Sequence, residues 1–251
     1  MTAAVLTQLS LGLLVLVPCL LLGWRRARAE PMVTLLLLGI YLADCLLLDL
    51  TNRYEPLRLI PTRVWDGFLI CNWSGKLYSV LLVLALVAVV RGPLDRAVVG
   101  LTLRQRTGWR LPSLAVLAAL AAWATAVGLS SPQGPWDPAT LAYLAVMPGL
   151  NEELVYRGAL PALIDRLVPG RANLLGASLG WGLATTTVLF ALLHGVWLDA
   201  AWSVRVDLIA LRNAAVTGLA FAWLRARTGS LLLPVAAHGL VDFLFFLPRM
   251  V

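Results

Sequence analysis

The chain has 251 residues, of which 60% are hydrophobic and 13% are charged, and its formal net charge is +7. Soluble globular domains are usually about 45–50% apolar, so this composition, with a mean hydropathy of +0.85, excludes an ordinary soluble domain. Arginine supplies nearly all of the positive charge, and no basic patch interleaved with aromatic residues is present. We therefore expect contact with the head groups of a lipid bilayer and no nucleic-acid partner.

Eight apolar runs approach the roughly 20 residues that a helix needs to cross a bilayer. They lie near residues 3–22, 32–50, 77–90, 111–129, 140–163, 174–197, 207–224 and 231–247. The third run is short, and the fifth is interrupted by its own charges. The sequence predicts an all-α fold, a polytopic transmembrane helical bundle of about eight helices. We expect an integral, multi-pass protein of a bacterial cell membrane.

The charges between the runs predict the orientation of the helices. One alternate set of connections holds twelve arginines, and the other holds six cationic residues, among them Lys76, the only lysine. By the positive-inside rule, the first set is predicted to be cytoplasmic and both termini external. The longest polar connection, 51–76, is expected along the membrane interface, and 92–110 is expected to be a basic loop with a short amphipathic helix.

Several common kinds of site are disfavoured by the residues present. Cys19, Cys45 and Cys71 are isolated, so neither a disulfide framework nor a zinc knuckle is expected. Gly176-Ala177-Ser178-Leu179-Gly180 has the GxSxG spacing, but no base neighbours Ser178 in the sequence, which disfavours a serine hydrolase. The chain has no HExxH pattern, which disfavours a zincin. Asp44 and Asp49 lie in the second apolar run, and we interpret them as structural.

Two adjacent glutamates begin the first motif that carries chemistry. In a helix Glu153 and Arg157 are four residues apart and can pair along one face, whereas Glu152 is turned about 100° away. The spacing therefore predicts Glu153 paired and Glu152 as an unpaired acid, suited to act as a general base. Pro148 and Gly149 suggest a broken or re-entrant start to this helix. The alternative is that both glutamates lie at the interface and are merely solvated.

The only two histidines of the chain lie in two further apolar runs. His194 follows Phe190 by four residues, and a lone histidine at such a helix end is often structural or interfacial. His238 is followed four residues later by Asp242, which can accept its proton and fix its tautomer. Ionisable groups within membrane segments are costly and mark functional sites. Convergence of these side chains predicts proton-transfer chemistry within the membrane.

Together these residues carry a resemblance to a known family. The three patterns are similar to the motifs of the CAAX protease and bacteriocin-processing (CPBP, or Abi) family, which includes the type II CAAX prenyl endopeptidases. The patterns are Glu152-Glu153-x-x-x-Arg157, Phe190-x-x-x-His194 and His238-x-x-x-Asp242, with Arg227-Thr228-Gly229-Ser230-Leu231 before the third. The resemblance covers roughly 140–247. It divides the chain into N-terminal transmembrane helices with basic loops, 1–139, and a catalytic core, 140–251.

The resemblance implies a glutamate-dependent intramembrane endopeptidase that uses no cofactor. Carried over by position, Glu152 acts with His194 to activate the attacking water, while Glu153 and Arg157 orient the site. His238 and the residue at 242 stabilise the oxyanion. Many relatives have Asn where this chain has Asp242, and an ionised aspartate cannot donate a hydrogen bond. We therefore expect Asp242 to hold His238.

The substrate class that the resemblance implies is a membrane-anchored or lipid-modified protein or peptide. Neither the particular substrate nor the oligomeric state can be read from the sequence. Two histidines and several carboxylates could also bind zinc, which leaves a zinc-dependent metalloprotease as an alternative. A non-catalytic transporter or immunity protein is the other alternative, because acids within membrane helices also suit ion-coupled transport.

Overall fold

The computed structural model describes residues 3–67 and 69–250, and its fold is all-α, as predicted. Each of the eight predicted apolar segments contains a helix. The count of about eight is approximate, because one helical run is interrupted and two very short helices of the described residues, Trp24–Ala29 and Arg96–Val99, occur in addition. The helices are α1 Ala3–Leu22, α2 Trp24–Ala29, α3 Pro31–Arg53, α4 Trp73–Val89, α5 Arg96–Val99, α6 Arg110–Leu129, α7 Pro138–Glu153, α8 Leu160–Leu167, α9 Trp181–Gly195, α10 Leu208–Thr228 and α11 Leu232–Phe246.

Four helical stretches of the described residues are long and apolar enough to cross a membrane. They are α1, α3, α6 and the stretch Leu232–Arg249, which extends α11 by a 3₁₀ turn. Helices α4 and α9 are equally apolar but shorter. Many large apolar side chains on these helices face outward, as lipid-facing surfaces require.

Three short antiparallel hairpins connect the helices. They are β1 Arg63–Trp65 with β2 Leu69–Cys71, β3 Arg171–Leu174 with β4 Ala177–Gly180, and β5 Val196–Leu198 with β6 Val204–Val206. The second hairpin corrects the predicted sixth segment, because residues 174–180 are strand and turn and helix α9 begins only at Trp181. The physical reason is a two-residue turn in which Leu175 and Gly176 have φ values of 46° and 75°, which suits a tight hairpin.

The two polar connections have more structure than their composition indicates. Segment 51–76 holds the end of α3, a 3₁₀ turn at Glu55–Leu57, the first hairpin and the start of α4. Segment 92–110 contains the four-residue helix α5, in agreement with the short helix expected there.

Helix α7 continues through a single π-helical turn, Leu154–Ala159, directly into α8. The expected break at Pro148 and Gly149 is wrong, because α7 runs through both residues without interruption. A π-helical turn is wider than an α-helical one and occurs frequently at functional sites. The interruption of this helix therefore falls just after the two glutamates.

Helices α7 and α11 approach each other through glycines on both sides. A Cβ atom on Gly149 would lie 2.7 Å from the carbonyl oxygen of Val235, and one on Gly239 would collide with the carbonyl oxygen of Ala145. Gly239 follows His238 directly. The main chains of the two helices that carry most of the site are therefore in contact without intervening side chains.

Candidate active site

The predicted pair of Glu153 and Arg157 is present and fully buried. Arg157 Nη1 lies 3.0 Å from Glu153 Oε1, and both side chains have an exposed fraction of 0%. Arg157 stands over the ring of Phe190, with 4.2 Å from its guanidinium carbon to the ring centroid, and 5.6 Å from that of Phe221. A buried ion pair with aromatic contacts restricts the orientation of the Glu153 carboxylate.

Glu153 also holds His238, which joins α7 to α11. The distance from His238 Nδ1 to Glu153 Oε1 is 2.8 Å, whereas His238 Nε2 lies 3.6 Å from Asp242 Oδ2. The longer distance is outside hydrogen-bonding range, so the tautomer of His238 is fixed by Glu153 and not by Asp242 as expected. The reason is that Glu153, on the facing helix α7, reaches Nδ1 of His238. Asp242, which lies four residues after His238 on α11, faces the other ring nitrogen and remains too far from it.

The ring of His238 is enclosed by aromatic side chains. It stacks on Phe221 with ring centroids 5.0 Å apart, and Phe190 meets it edge to face at 6.1 Å. Its Nε2 atom faces Glu152 Oε2 at 3.7 Å in addition to Asp242. A proton on Nε2 therefore lies in the field of two carboxylates.

Glu152 is paired, contrary to the expectation of an unpaired acid. Lys76 Nζ, from α4, lies 2.6 Å from Glu152 Oε1, and the exposed fractions of the two side chains are 8% and 17%. Oε2 of Glu152 is buried and has no hydrogen-bond partner among residues 3–67 and 69–250. The lysine thus occupies one oxygen and leaves the other directed toward His238.

Lys76 belongs to a polar cluster that continues into α3. Its Nζ atom is 3.4 Å from Asn151 Oδ1, and Asn151 Nδ2 donates to Asp44 Oδ1 at 3.1 Å. Ser79 Oγ donates to the same oxygen of Asp44 at 2.5 Å. These contacts connect helices α3, α4 and α7 on the Lys76 side of Glu152, and they give the buried Asp44 the partners that such a group requires.

His194 is oriented by the main chain of its own helix. Its Nδ1 atom lies 2.8 Å from the carbonyl oxygen of Phe190, which can only accept a hydrogen bond, so the proton is assigned to Nδ1. The neutral ring then carries a lone pair on Nε2. The rings of His194 and Phe190 are in contact, with centroids 4.2 Å apart.

Two cavities meet at Phe190 and His194. The first, of about 190 Å³, is polar and contains Glu152, Lys76 and Asp44 in its wall. The second, of about 220 Å³, is lined mainly by apolar and aromatic side chains and by three predicted site residues. Its lining includes His194, His238, Asp242, Trp123, Phe190, Phe221, Phe245 and Phe246.

The structure therefore brings all six predicted site residues into one region. Lys76, Asp44 and Asn151 are the members that the sequence interpretation missed, since Lys76 was assigned to a connecting loop and Asp44 was interpreted as structural. The alternative of solvated interfacial glutamates is disfavoured by their burial. Within the described residues, no group of three or more His, Cys, Asp or Glu side chains is arranged to hold a metal ion.

Comparison with known proteins agrees with the motifs. Residues 132–244 match the family model described as type II CAAX prenyl endopeptidase Rce1-like. This range contains the six predicted site residues, from Glu152 to Asp242. A search of curated proteins found no match, and a search of solved structures found none either. The match covers the part of the chain in which the resemblance to the CAAX protease family was found, and it agrees with that resemblance.

The family and the fold together define the class of the protein. Type II CAAX prenyl endopeptidases are proteases, and four helical stretches here are apolar enough to span a bilayer. The chain is therefore a protease and an integral membrane protein. The division into an N-terminal part, 1–139, and a catalytic core, 140–251, remains a prediction, and Lys76 supplies a site contact from outside that core.

Proposed function

We propose that the protein is a multi-pass intramembrane endopeptidase of a bacterial cell membrane in which Glu152 and His194 activate the attacking water. The observation that carries the proposal is the arrangement around Glu152. One oxygen is held by Lys76, and the other is buried and directed toward His238. A carboxylate fixed in this way is oriented for proton abstraction before substrate arrives.

The chemistry follows from the assigned hydrogen bonds. Water donates one hydrogen bond to Oε2 of Glu152 and another to the lone pair on Nε2 of His194. As the water oxygen bonds to the scissile carbonyl carbon, its proton passes to Glu152. That proton is then delivered to the leaving amide nitrogen as the carbon–nitrogen bond breaks, and the products are a carboxylic acid and an amine. The remaining proton of the acid then passes to the amine, which leaves as an ammonium ion beside a carboxylate.

His238 is the group that we assign to the oxyanion. Glu153 accepts from its Nδ1 atom, so the ring donates a second hydrogen bond from Nε2, on the side of the aromatic cavity, in its doubly protonated imidazolium form. Donors held in a water-poor site stabilise developing negative charge strongly. Arg157 holds the Glu153 carboxylate in place and acts as a positioning residue.

The aromatic cavity supports a substrate that enters from the membrane. Its walls are rich in phenylalanine and include Trp123, and His194 lines both this cavity and the polar cavity. The matching family is described as acting on CAAX prenyl substrates. We therefore propose a membrane-anchored or lipid-modified protein or peptide as substrate, with no resident cofactor.

Comparative mass spectrometry of membrane-protein termini tests the proposal. Cells expressing the wild-type chain should contain new protein termini that are missing from cells expressing Glu152→Gln. Loss of a general base lowers the rate by about 10²–10⁴-fold. Glu55→Gln is a matched control, because Glu55 is exposed and outside the site. A folded Glu152→Gln chain that generates the same termini as the wild type would refute the role of Glu152.

A further inference from the structure

A second charged cavity borders Arg157. Its volume is about 220 Å³, and four arginines line it with a single carboxylate, Asp165. The arginines are Arg106, Arg157, Arg171 and Arg225. We call this site the arginine cavity. It shares only Arg157 with the candidate active site.

The positive charge in the arginine cavity is incompletely balanced. Asp165 lies 3.9 Å from Arg171 Nη2, and its other oxygen accepts from the main-chain nitrogen of Gly182. Arg225 Nε and Arg157 Nε have no hydrogen-bond partner among residues 3–67 and 69–250. Grouped guanidinium ions with unfilled donors are unfavourable unless an anion joins them. The fully buried Arg157 side chain borders this space.

The position of the cavity indicates where the anion comes from. Arg106, Arg171 and Arg225 belong to three connections that the positive-inside rule places on the cytoplasmic face. Anionic lipid head groups lie at that face and attract basic segments. Guanidinium groups bind phosphate oxygens through paired hydrogen bonds, more specifically than lysine does.

An apolar groove beside the cavity fits the remainder of a lipid. The groove has a volume of about 330 Å³ and is lined almost entirely by apolar side chains, among them Leu101, Leu103 and Leu231. A hydrogen bond of 2.9 Å from Leu231 N to Gly100 O joins two segments of the chain. Both segments border the arginine cavity and the apolar groove. Leu103 is 82% exposed, and an acyl chain in the groove would reduce this exposed fraction.

We propose that the arginine cavity binds the phosphate group of an anionic membrane lipid whose acyl chain lies in the adjacent groove. The bound phosphate then borders Arg157, which lines the cavity. The proposal does not depend on the catalytic assignment, because the site and its test concern binding alone.

Native mass spectrometry of the full-length chain in detergent, titrated with phosphatidylglycerol, measures the predicted binding. Phosphatidylcholine, which has no net charge, and inorganic phosphate are titrated in parallel. Arg171→Gln and Arg106→Gln each remove a charge-assisted hydrogen bond and should weaken phosphatidylglycerol binding by about tenfold. Arg104→Gln is the matched control, because Arg104 lies in the same connection as Arg106 and outside the lining of the cavity.

The outcomes separate the sources of the phosphate. Tight binding of phosphatidylglycerol, weakened by Arg171→Gln and unaffected by Arg104→Gln, supports the lipid site. Equal affinity for inorganic phosphate would overturn the lipid part of the proposal and leave a site for a free anion. Binding that all variants retain equally, or an absence of binding by the wild type, would overturn the site itself. Arg171 is largely exposed, so this variant remains informative if Arg106→Gln fails to fold.

Discussion

Lys76 and Glu152 form an ion pair of 2.6 Å between helices α4 and α7. Both charges are largely buried, and each is the nearest opposite charge of the other. A buried pair is costly to break, because the remaining ion is left without compensation in a medium of low dielectric constant. The pair therefore couples the fold of the N-terminal helices to Glu152, the proposed general base.

The first prediction is a double-mutant cycle on this pair. Lys76→Met and Glu152→Gln should each destabilise the chain, Lys76→Met by roughly 3–5 kcal/mol, which is typical when one partner of a buried pair is removed. The double variant should be more stable than Lys76→Met, because no charge is then left unpaired. Thermal unfolding in detergent gives the coupling energy. Strictly additive effects would show that the ion pair does not stabilise the fold.

The second prediction concerns Asp242, which lies too far from His238 for a hydrogen bond. Because Glu153 already fixes the His238 ring, Asp242→Asn should keep substantial activity, and its amide can donate to the oxyanion. Asp242→Leu should lose most of the activity, since a polar group near Nε2 is then missing. Peptidase rates of both variants across pH are the measurement. An Asn variant as inactive as the Leu variant would show that the negative charge itself is required.

The third prediction separates a glutamate-activated water from a metal-bound one. Prolonged dialysis against a strong chelator should leave the rate unchanged, and elemental analysis should find well under one metal ion per chain. The same treatment of a known zinc peptidase is the positive control. Zinc at unit stoichiometry, with activity lost on removal and restored on return, would reassign His194 and His238 as ligands.

The fourth prediction concerns the turn between β5 and β6, outside the membrane segments. Asp199 Oδ1 accepts from the main-chain nitrogens of Ser203 and Ala201, and Oδ2 accepts from Arg205 Nε at 2.7 Å. The hydrogen bond from Ser203, followed by that from Arg205, lowers the pKa of Asp199. The pKa of Asp199 is lower in the folded chain than in the unfolded chain. The ionised carboxylate therefore stabilises the turn at neutral pH, and this stabilisation is lost as pH falls below about 4.

Amide hydrogen exchange at Ala201 and Ser203, corrected for intrinsic rates, measures this loss. Protection of these two amides should fall as Asp199 becomes protonated. Asp199→Asn removes the titrating group, so its protection should not change over the same pH range. Equal pH dependence in the two chains would contradict the assignment to Asp199.

The three motifs predicted six residues of the candidate site, because their contacts are local or their spacing conforms to a known pattern. Glu153 and Arg157 are four residues apart, and any helix brings them together. The bond between Glu153 and His238 depends instead on how α7 packs against α11, which no local spacing encodes. The same limit explains the error at Asp242, whose helical spacing to His238 is correct but whose distance is too long.

Lys76 shows a different limit of sequence interpretation. It is the only lysine in the chain and directly precedes an apolar run, which was the one available signal. A cation at the start of an apolar run can belong to a solvent-exposed loop or to a buried ion pair. Which of the two applies depends on whether an acidic residue lies at the same depth in another helix. The π-helical turn at Leu154–Ala159 was missed because its residues have no composition that separates them from an ordinary α-helix.

The glycines between α7 and α11 determine how the separation of Glu153 and His238 is maintained. Since the two main chains touch at Gly149 and Gly239, the distance between the acid and the imidazole is set by backbone atoms, which have no alternative rotamers. A side chain as small as a methyl group at Gly239 would push the helices apart and lengthen a 2.8 Å hydrogen bond without altering any reacting group. The geometry of the candidate active site is thus sensitive to residues that have no chemistry of their own.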